Sequence, residues 1–437
     1  MALKNFKSLN KNFILSLDNI FFILVAILPF SFLFGTLILN SILFILFLIF
    51  LLNFKNFIKF NYLFEIEFKI LFLFCFYLLI NSFLNEISVE KLIKSFSILR
   101  FPILIIVVLY FFKKVTDQKK NLWANLNILF IFIISFDLLF QYFIGKNTLG
   151  YLPGMCGENY LKDQSVCTRY SGFFNDELIM GGYLSTIIFS IILLINKIKK
   201  YPLFITAILI SFLYILIMIT GERSATLTIL LTIFFIFLQY KTKFKTKFIS
   251  TILLITFSLL MVFLNPHLKG RYIDFFNHDM QKNDHLSSYE KILTTPWGLH
   301  IQKSLKLFIE KPLIGHGIRS FRIKCDNYEL FIERDEKKHR ACSTHPHNLI
   351  MELLSEQGII GFILFFTFFF ILFKKSFQNH GFFSRNFTLI SLRALVFVII
   401  FIPKPVGSIF SSINATMIWF CISLFVLEVY SKKINEN

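Results

Sequence analysis

The sequence predicts an all-α polytopic integral membrane protein of about twelve transmembrane helices, with one large external loop carrying short amphipathic helices between spans nine and ten. Three observations predict it. Hydrophobic residues make up 56% of the 437 residues, with 61 Phe and a mean hydropathy of +0.69, more apolar surface than a soluble core needs. The apolar residues fall in long runs divided by short Lys-rich stretches, as expected of helices that satisfy their own backbone groups in lipid. No ten-residue segments alternate polar with apolar residues, as membrane-barrel strands would.

The spans fall at 19–37, 38–54, 68–84, 98–112, 123–145, 177–196, 201–219, 224–239, 247–264, 349–373, 386–402 and 412–430. The first follows Lys4, Lys7 and Lys11, and no small-residue cleavage site follows it, so it reads as an uncleaved anchor. An even number of spans puts both termini on one side. With the N-terminus in the cytoplasm, 22 Lys and Arg lie in cytoplasmic segments and seven in the short external loops. That asymmetry satisfies the positive-inside rule, so both termini read as cytoplasmic. The +19 net charge is then largely topological. Spread over many turns, it is not a nucleic-acid patch.

Two external loops hold most of the remaining sequence. The shorter, 145–177, is rich in Gly and Asn. The longer, 265–347, is too small and polar for an independent domain and reads as a cap inserted into one membrane domain of residues 1–437. In it Trp297, Ile301, Leu305 and Phe308 recur at helical spacing, opposite Gln302, Lys303 and Lys306. Gly315-His316-Gly317 marks a turn. Cys75 and Cys421 fall in spans, Cys156 and Cys167 in the shorter loop, and Cys325 and Cys342 in the cap. Four external cysteines suggest two disulfides in an oxidising compartment, with pairing inside each loop expected. Neither pair has the CxxC spacing of a structural zinc site.

The chemistry concentrates where the cap meets span ten. His345-Pro346-His347-Asn348 runs directly into that span, which carries Glu352 and Glu356. Polar and ionisable groups are costly at a membrane boundary, so such a cluster is a functional candidate. Pro346 is expected to open the helix, with His347 and Asn348 in its first turn. Free N–H groups there would favour a phosphate or carboxylate. Asn348, Glu352 and Glu356 share one helix face, and Gly358 and Gly361 permit close packing below them. Spacing of i, i+2 does not put His345 and His347 on one helix face, so a metal site is disfavoured.

Arginine is placed selectively. Among the cytoplasmic cations only Arg385 is Arg, whereas Arg169, Arg223, Arg271, Arg319, Arg322, Arg334 and Arg340 are all external. A planar, permanently charged donor suits phosphate and carboxylate better than lysine does. Arg169 lies just before span six, and Arg223 in the tight turn between spans seven and eight. Both face the compartment of His345 and His347. For each, snorkelling or a local salt bridge is the plainer explanation, and Arg223 has Glu222 beside it.

Three stretches resemble the O-antigen ligase and polymerase family of bacterial envelope glycosyltransferases. One is His345-Pro-His-Asn-Leu with Glu356-Gln-Gly-Ile-Ile-Gly. A second is Lys311-Pro-Leu-Ile-Gly-His-Gly-Ile-Arg319-Ser-Phe. The third comprises the Arg169 and Arg223 turns. Glu222 departs from the family's usual Ser before that arginine. The resemblance implies a metal-independent, inverting, cofactor-free glycosyltransferase at the periplasmic face of the bacterial inner membrane. It would move a glycan from undecaprenyl diphosphate to an acceptor hydroxyl. A ligase acts on lipid A–core in lipopolysaccharide biosynthesis, and a polymerase on another lipid-linked repeat. On that implication Arg169 and Arg223 hold the diphosphate and His347, or secondly His345, takes the acceptor proton. Asn348, Glu352 and Glu356 then orient the imidazole or bind sugar, and Arg319 joins the substrate-binding set. Other classes are a secondary transporter or a non-enzymatic scaffold. Against transport, mid-span charges are few (Asp137 and Arg393) and no internal repeat is evident.

Overall fold

The structure, a computed structural model, describes residues 17–58, 65–85, 89–155, 168–274, 287, 291, 293, 295–325, 331–334, 337–340 and 342–431. The apolar helices are α1 (Leu17–Ser31), α2 (Gly35–Leu52), α3 (Ile66–Leu84), α4 (Arg100–Lys114), α5 (Asp117–Ile144) and α6 (Met180–Lys199). They continue with α7 (Leu203–Ile219), α8 (Arg223–Gln239), α9 (Phe244–Leu264), α10 (Leu349–His380), α11 (Phe387–Phe401) and α12 (Ile413–Val429). Seven described stretches are long and apolar enough to cross a membrane: Asn19–Leu52, Ile66–Leu84, Val89–Lys114, Asp117–Ile144, Met180–Lys199, Phe244–Leu264 and Leu349–His380. Helices α7, α8, α11 and α12 are shorter. The Asn19–Leu52 stretch is not one straight helix. A 3₁₀ turn at Phe32–Phe34 and Gly35 at φ +82° divide it into α1 and α2.

Helix ends follow local chemistry. Thr116 accepts a hydrogen bond from Lys119 N at the start of α5, and left-handed Gly145 ends it. Within α6 the residues Leu184–Ile188 form a π-turn. α12 is buried along nearly its whole length and forms the centre of the bundle. α9 buries none of its residues, as befits a helix whose apolar side chains face lipid. The two mid-span charges are structural. Arg393 is fully buried and donates to Gln239 Oε1 (2.6 Å), Gly381 O and Phe382 O (both 2.9 Å), clamping the turn between α10 and α11. Asp137 accepts from Thr148 N (2.9 Å) and Thr148 Oγ1 (2.5 Å), tying α5 to the loop after it.

The bundle is not purely helical. Two short antiparallel ribbons decorate its loop end, Gly154–Met155 with Thr168–Arg169 and Phe331–Arg334 with Lys337–Arg340. The cap also holds the helix Pro296–Glu310, capped by Thr295 with Pro296 at its first turn. This helix is amphipathic, but not on the expected face. Trp297 and Leu305 are exposed, while Leu299, His300, Lys303, Ser304 and Leu307 are buried. The helix packs on α10, with the His300 ring stacked on His347 and Lys303 Nζ 3.8 Å from Cys342 Sγ.

Cys325 and Cys342 form a disulfide, as expected, around a small apolar cluster of Leu307 and Phe321. Cys156 and Cys167 lie outside the described residues. The bridge closes a short loop, so Cys342→Ser is expected to destabilise the cap by about 3 kcal/mol. Limited proteolysis of the cap measures this. A non-reducing peptide map showing both thiols alkylated would sink the pairing.

The two glycine-rich stretches turn out to be one joint. α10 breaks at Gly358, whose φ of +64° and ψ of −171° only glycine tolerates. The break frees backbone groups in the middle of a helix, and the segment 312–317 of the cap takes them up. Ile359 N donates to Pro312 O (2.8 Å) and Ile360 N to Leu313 O (3.2 Å). In return His316 N donates to Ser355 O (3.1 Å) and Gly317 N to Glu356 O (2.7 Å). Tyr77 OH on α3 donates to Gln357 O at 2.6 Å. The approach is so close that a Cβ on Gly315 would lie 2.6 Å from both Gln357 N and Glu356 O. The cap is therefore stitched into the membrane helix that follows the histidines.

Candidate active site

A cavity of about 550 Å³ opens where the loops α5–α6, α7–α8, α9–α10 and α11–α12 converge. Arg169, Arg223, His345 and His347 line it, so four residues singled out in the sequence meet in one place. Arg271, Lys404, Glu222 and Trp297 also line it. Leu227, Ile399, Met417 and Ile418 from α8, α11 and α12 give part of its wall an apolar lining. Cationic and apolar lining thus meet in one chamber.

The arginines are stitched around the α7–α8 turn. Tyr170 N donates to Thr220 O (3.2 Å), and Arg271 Nε donates to Gly221 O (2.9 Å). Arg169 pairs with Gly154 in the short ribbon and donates through Nη2 to Leu178 O at 2.7 Å. Arg223 stacks over the Trp297 ring at 5.0 Å, which explains why that tryptophan is turned away from the cap interior. Burial and the neighbouring Arg223 and Arg169 pull Arg271 down to about 10, far enough from neutrality that it stays charged.

Glu222 does not spoil the site. Its carboxylate accepts from Gly181 N (2.8 Å) and Gly182 N (3.3 Å), so it caps the start of α6. It lies 3.9 Å from Arg169 Nη2. Burial raises its pKa while Arg169 and the two backbone donors oppose that rise. The departure noted in the sequence is a helix anchor, with its charge directed at α6.

The histidine segment differs from the sequence expectation. α10 begins at Leu349, and Asn348 is its N-cap, accepting from Met351 N at 3.1 Å. Pro346 and His347 precede the helix. His347 adopts a left-handed φ of +54°, held by the Val406 N bond to its carbonyl at 3.0 Å. A non-glycine residue in that region stores about 1 kcal/mol or more of strain, a common feature of active sites. Helix geometry would have aimed the imidazole along α10; the left-handed turn aims it into the cavity instead.

His347 is the middle ring of three. His345 packs on it with centroids 4.0 Å apart, and His300 from the cap helix stacks on its other side at 5.4 Å and 26°. Burial lowers the pKa of all three, to about 4 for His300 and about 3 for His345, each further depressed by the His347 neighbour. All three are neutral imidazoles at pH 7, the form that accepts a proton. Among the described residues no group of three or more His, Cys, Asp or Glu is arranged to hold a metal ion.

Glu352, Glu356, Asn348 and Arg319 do not line the cavity. Glu352 accepts from Ser408 Oγ and from Ile409 N (3.1 Å), pinning the α11–α12 loop. Glu356 accepts from Arg319 N (2.8 Å) and Phe321 N (3.2 Å), fixing the cap segment after the glycine joint. Both carboxylates hold the loops that frame the histidines. Arg319 is also left-handed, at φ +58°.

Sequence reasoning missed two cavity residues, Arg271 and Lys404, and the ring His300 that stacks on His347. Arg271 meets the same membrane-proximal criterion as Arg169 and Arg223. Lys404 stands between Pro403 and Pro405 in the short α11–α12 loop, a placement that fixes its backbone. His300 was visible as a polar residue one turn from Lys303 in an otherwise apolar stretch.

Residues 205–366 match the family model described as O-antigen ligase. That segment contains Arg223, Arg271, His300, His345 and His347. A protein of Rickettsia conorii provisionally named a polysaccharide ligase is 36% identical over 89 residues, 20% of this chain and 21% of that protein. A similarly named protein of Rickettsia felis is 38% identical over 78 residues, 18% of each chain. The matched stretches thus span about a fifth of these curated relatives' length. The family-model match covers the segment that carries Arg223, Arg271, His345 and His347, and over that segment the chain is similar to the O-antigen ligase family.

Proposed function

We propose that this chain transfers a glycan from undecaprenyl diphosphate to an acceptor hydroxyl, lipid A–core in the ligase reading, at the periplasmic face of a bacterial inner membrane. The reading takes the bundle as about twelve spans with both termini cytoplasmic, which the positive-inside asymmetry supports. The observation that carries it is the cavity, where Arg169, Arg223 and Arg271 share one chamber with His345 and His347.

Diphosphate is a good leaving group, so the enzyme needs charge stabilisation on one side and one base on the other. Arg169 and Arg223, joined by Arg271, hold the diphosphate, and the apolar part of the lining receives the start of the polyprenyl chain. His347 takes the acceptor proton as the acceptor oxygen attacks the anomeric carbon. The carbon–oxygen bond to phosphate breaks, and its electron pair leaves with the diphosphate. Attack opposite the leaving group inverts the anomeric centre, and the reading takes the step as metal-independent, the arginines supplying the positive charge. Asp137 and Arg393, the mid-span charges a transporter would use, are engaged in loop anchoring, which favours the enzyme reading.

The test is a purified full-length protein in nanodiscs with glycan-loaded undecaprenyl diphosphate. Acceptor-dependent release of undecaprenyl diphosphate is expected, and its absence with both acceptor classes overturns the reading. Envelope extracts of a deletion strain separate the two branches. Unligated long chains mark a ligase, and single-repeat products mark a polymerase.

A further inference from the structure

Four cations line the cavity, and three already have protein partners. Arg169 bonds Leu178 O and neighbours Glu222, Arg271 bonds Gly221 O, and Arg223 lies on Trp297. Lys404 differs. It is 7% exposed, it lines the same cavity, and among the described residues it has no hydrogen bond, ion pair or ring contact. A buried ammonium without a counter-charge is costly, and proteins keep one where a ligand or a reaction supplies the charge. Burial alone pulls it down to about 8, so most of the population is charged at pH 7 and ready to meet an anion.

Its position is enforced from two sides. Pro403 and Pro405 restrict the backbone on either side of it. The loop is then pinned to the histidine segment by Val406 N on His347 O at 3.0 Å and to α10 by Ile409 N on Glu352 at 3.1 Å. The same loop therefore fixes the proposed base and this lysine relative to each other. Lys404 lies on the opposite chain segment from the three arginines, which descend from the α5–α6, α7–α8 and α9–α10 loops.

Charge balance gives it a task. Glu222 is the one carboxylate among the lining residues. Even with Glu222 ionised, four cations leave three positive charges. A glycan-bearing diphosphate diester carries two negative charges. When the bond from the anomeric carbon breaks, the terminal phosphate keeps the electron pair and gains a third. We propose that Lys404 is a substrate-binding residue that receives the leaving diphosphate, matching the charge that develops as the glycosidic bond breaks. This rests on the diphosphate reading above. A cation matched to the product charge stabilises the transition state more than the ground state.

The test is binding of two glycan-free probes, undecaprenyl diphosphate and undecaprenyl monophosphate, to the full-length protein in nanodiscs. Wild type is expected to prefer the diphosphate. Lys404→Met is expected to lose at least about tenfold of diphosphate affinity with monophosphate affinity changed less than about twofold, while Lys404→Arg keeps the preference. In turnover, Lys404→Met is expected to lower kcat with little change in KM. If Lys404→Met binds diphosphate as wild type does while Arg169→Met does not, the lysine assignment falls and the diphosphate reading stands. If wild type shows no preference for diphosphate and Arg169→Met changes nothing, the diphosphate reading itself falls. If Lys404→Met and Lys404→Arg weaken both probes equally, Lys404 is structural and the proposal is overturned.

Discussion

His347→Ala is expected to lower kcat for glycan transfer by about 10²- to 10⁴-fold, the range for loss of a general base. Diphosphate binding should be nearly unchanged, because the arginines hold it. His345→Ala and His300→Ala should cost less, since those rings flank His347 and orient it. Turnover of lipid-linked donor by purified variants measures all three. A wild-type rate in His347→Ala removes the base assignment, and a larger loss in His345→Ala transfers it to that residue. The pH profile follows from the sign of the shift. Burial lowers the pKa of His347 below its ordinary 6.5, so the ring is neutral at pH 7 and activity falls only as acid titrates it. The acid limb of kcat should have its midpoint below 6.5. Stability moves the same way. His300 and His345 titrate near 4 and 3 in the folded protein, so the unfolded chain binds more protons between those values and 6.5. Their contribution is complete above about 6.5 and is lost as pH falls through about 4 for His300 and about 3 for His345.

Gly358→Ala is expected to be strongly damaging. A Cβ there meets two penalties. The φ of +64° with extended ψ is closed to L-residues at about 1–3 kcal/mol. The added atom would also fall within 3 Å of Leu313 O and Gly315 N, both backbone and unable to give way easily. The expected loss is about 3 kcal/mol or more, with transfer activity lost because the joint carries His347 and the cap together. Thermal melting and hydrogen exchange at the Gly315 and Gly317 amides are the readouts. Gly182→Ala, where nothing lies within 4 Å, is the stability control and should melt near wild type. A Gly358→Ala protein with native melting and protected amides would show that the break does not depend on glycine.

The joint shows why motif and mechanism need different sources. Pro312–Gly317 and Glu356–Gly361 belong to two of the stretches that carry the family resemblance in the sequence. In the folded chain they bond to each other. Glu352 and Glu356, expected to touch sugar or imidazole, spend their oxygens on Ile409 N, Arg319 N and Phe321 N. A sequence motif marks residues whose backbone geometry is demanding, and a helix broken to admit another segment is as demanding as a catalytic centre.

Several features were legible without coordinates. Periodicity and long apolar runs determined the helices, because a backbone in lipid has almost no other way to satisfy its polar groups. Lys and Arg asymmetry determined the topology read for them. Membrane-proximal placement picked out Arg169 and Arg223, and adjacency picked out His345 and His347. Other features needed the tertiary structure. Which face of Pro296–Glu310 is buried depended on what packs beneath it: α10 and the His347 ring, against which His300 is buried. Pro346 read as a helix start, but Asn348 caps better and His347 is pulled left-handed by Val406, a residue 59 positions away in the next loop but one. Arg271 and Lys404 gained meaning only when four separate loops met around one cavity. Local propensity and charge are properties of short stretches of chain, so the sequence carries them directly. A site is a coincidence of distant stretches in space, and only the packing of the bundle decides it.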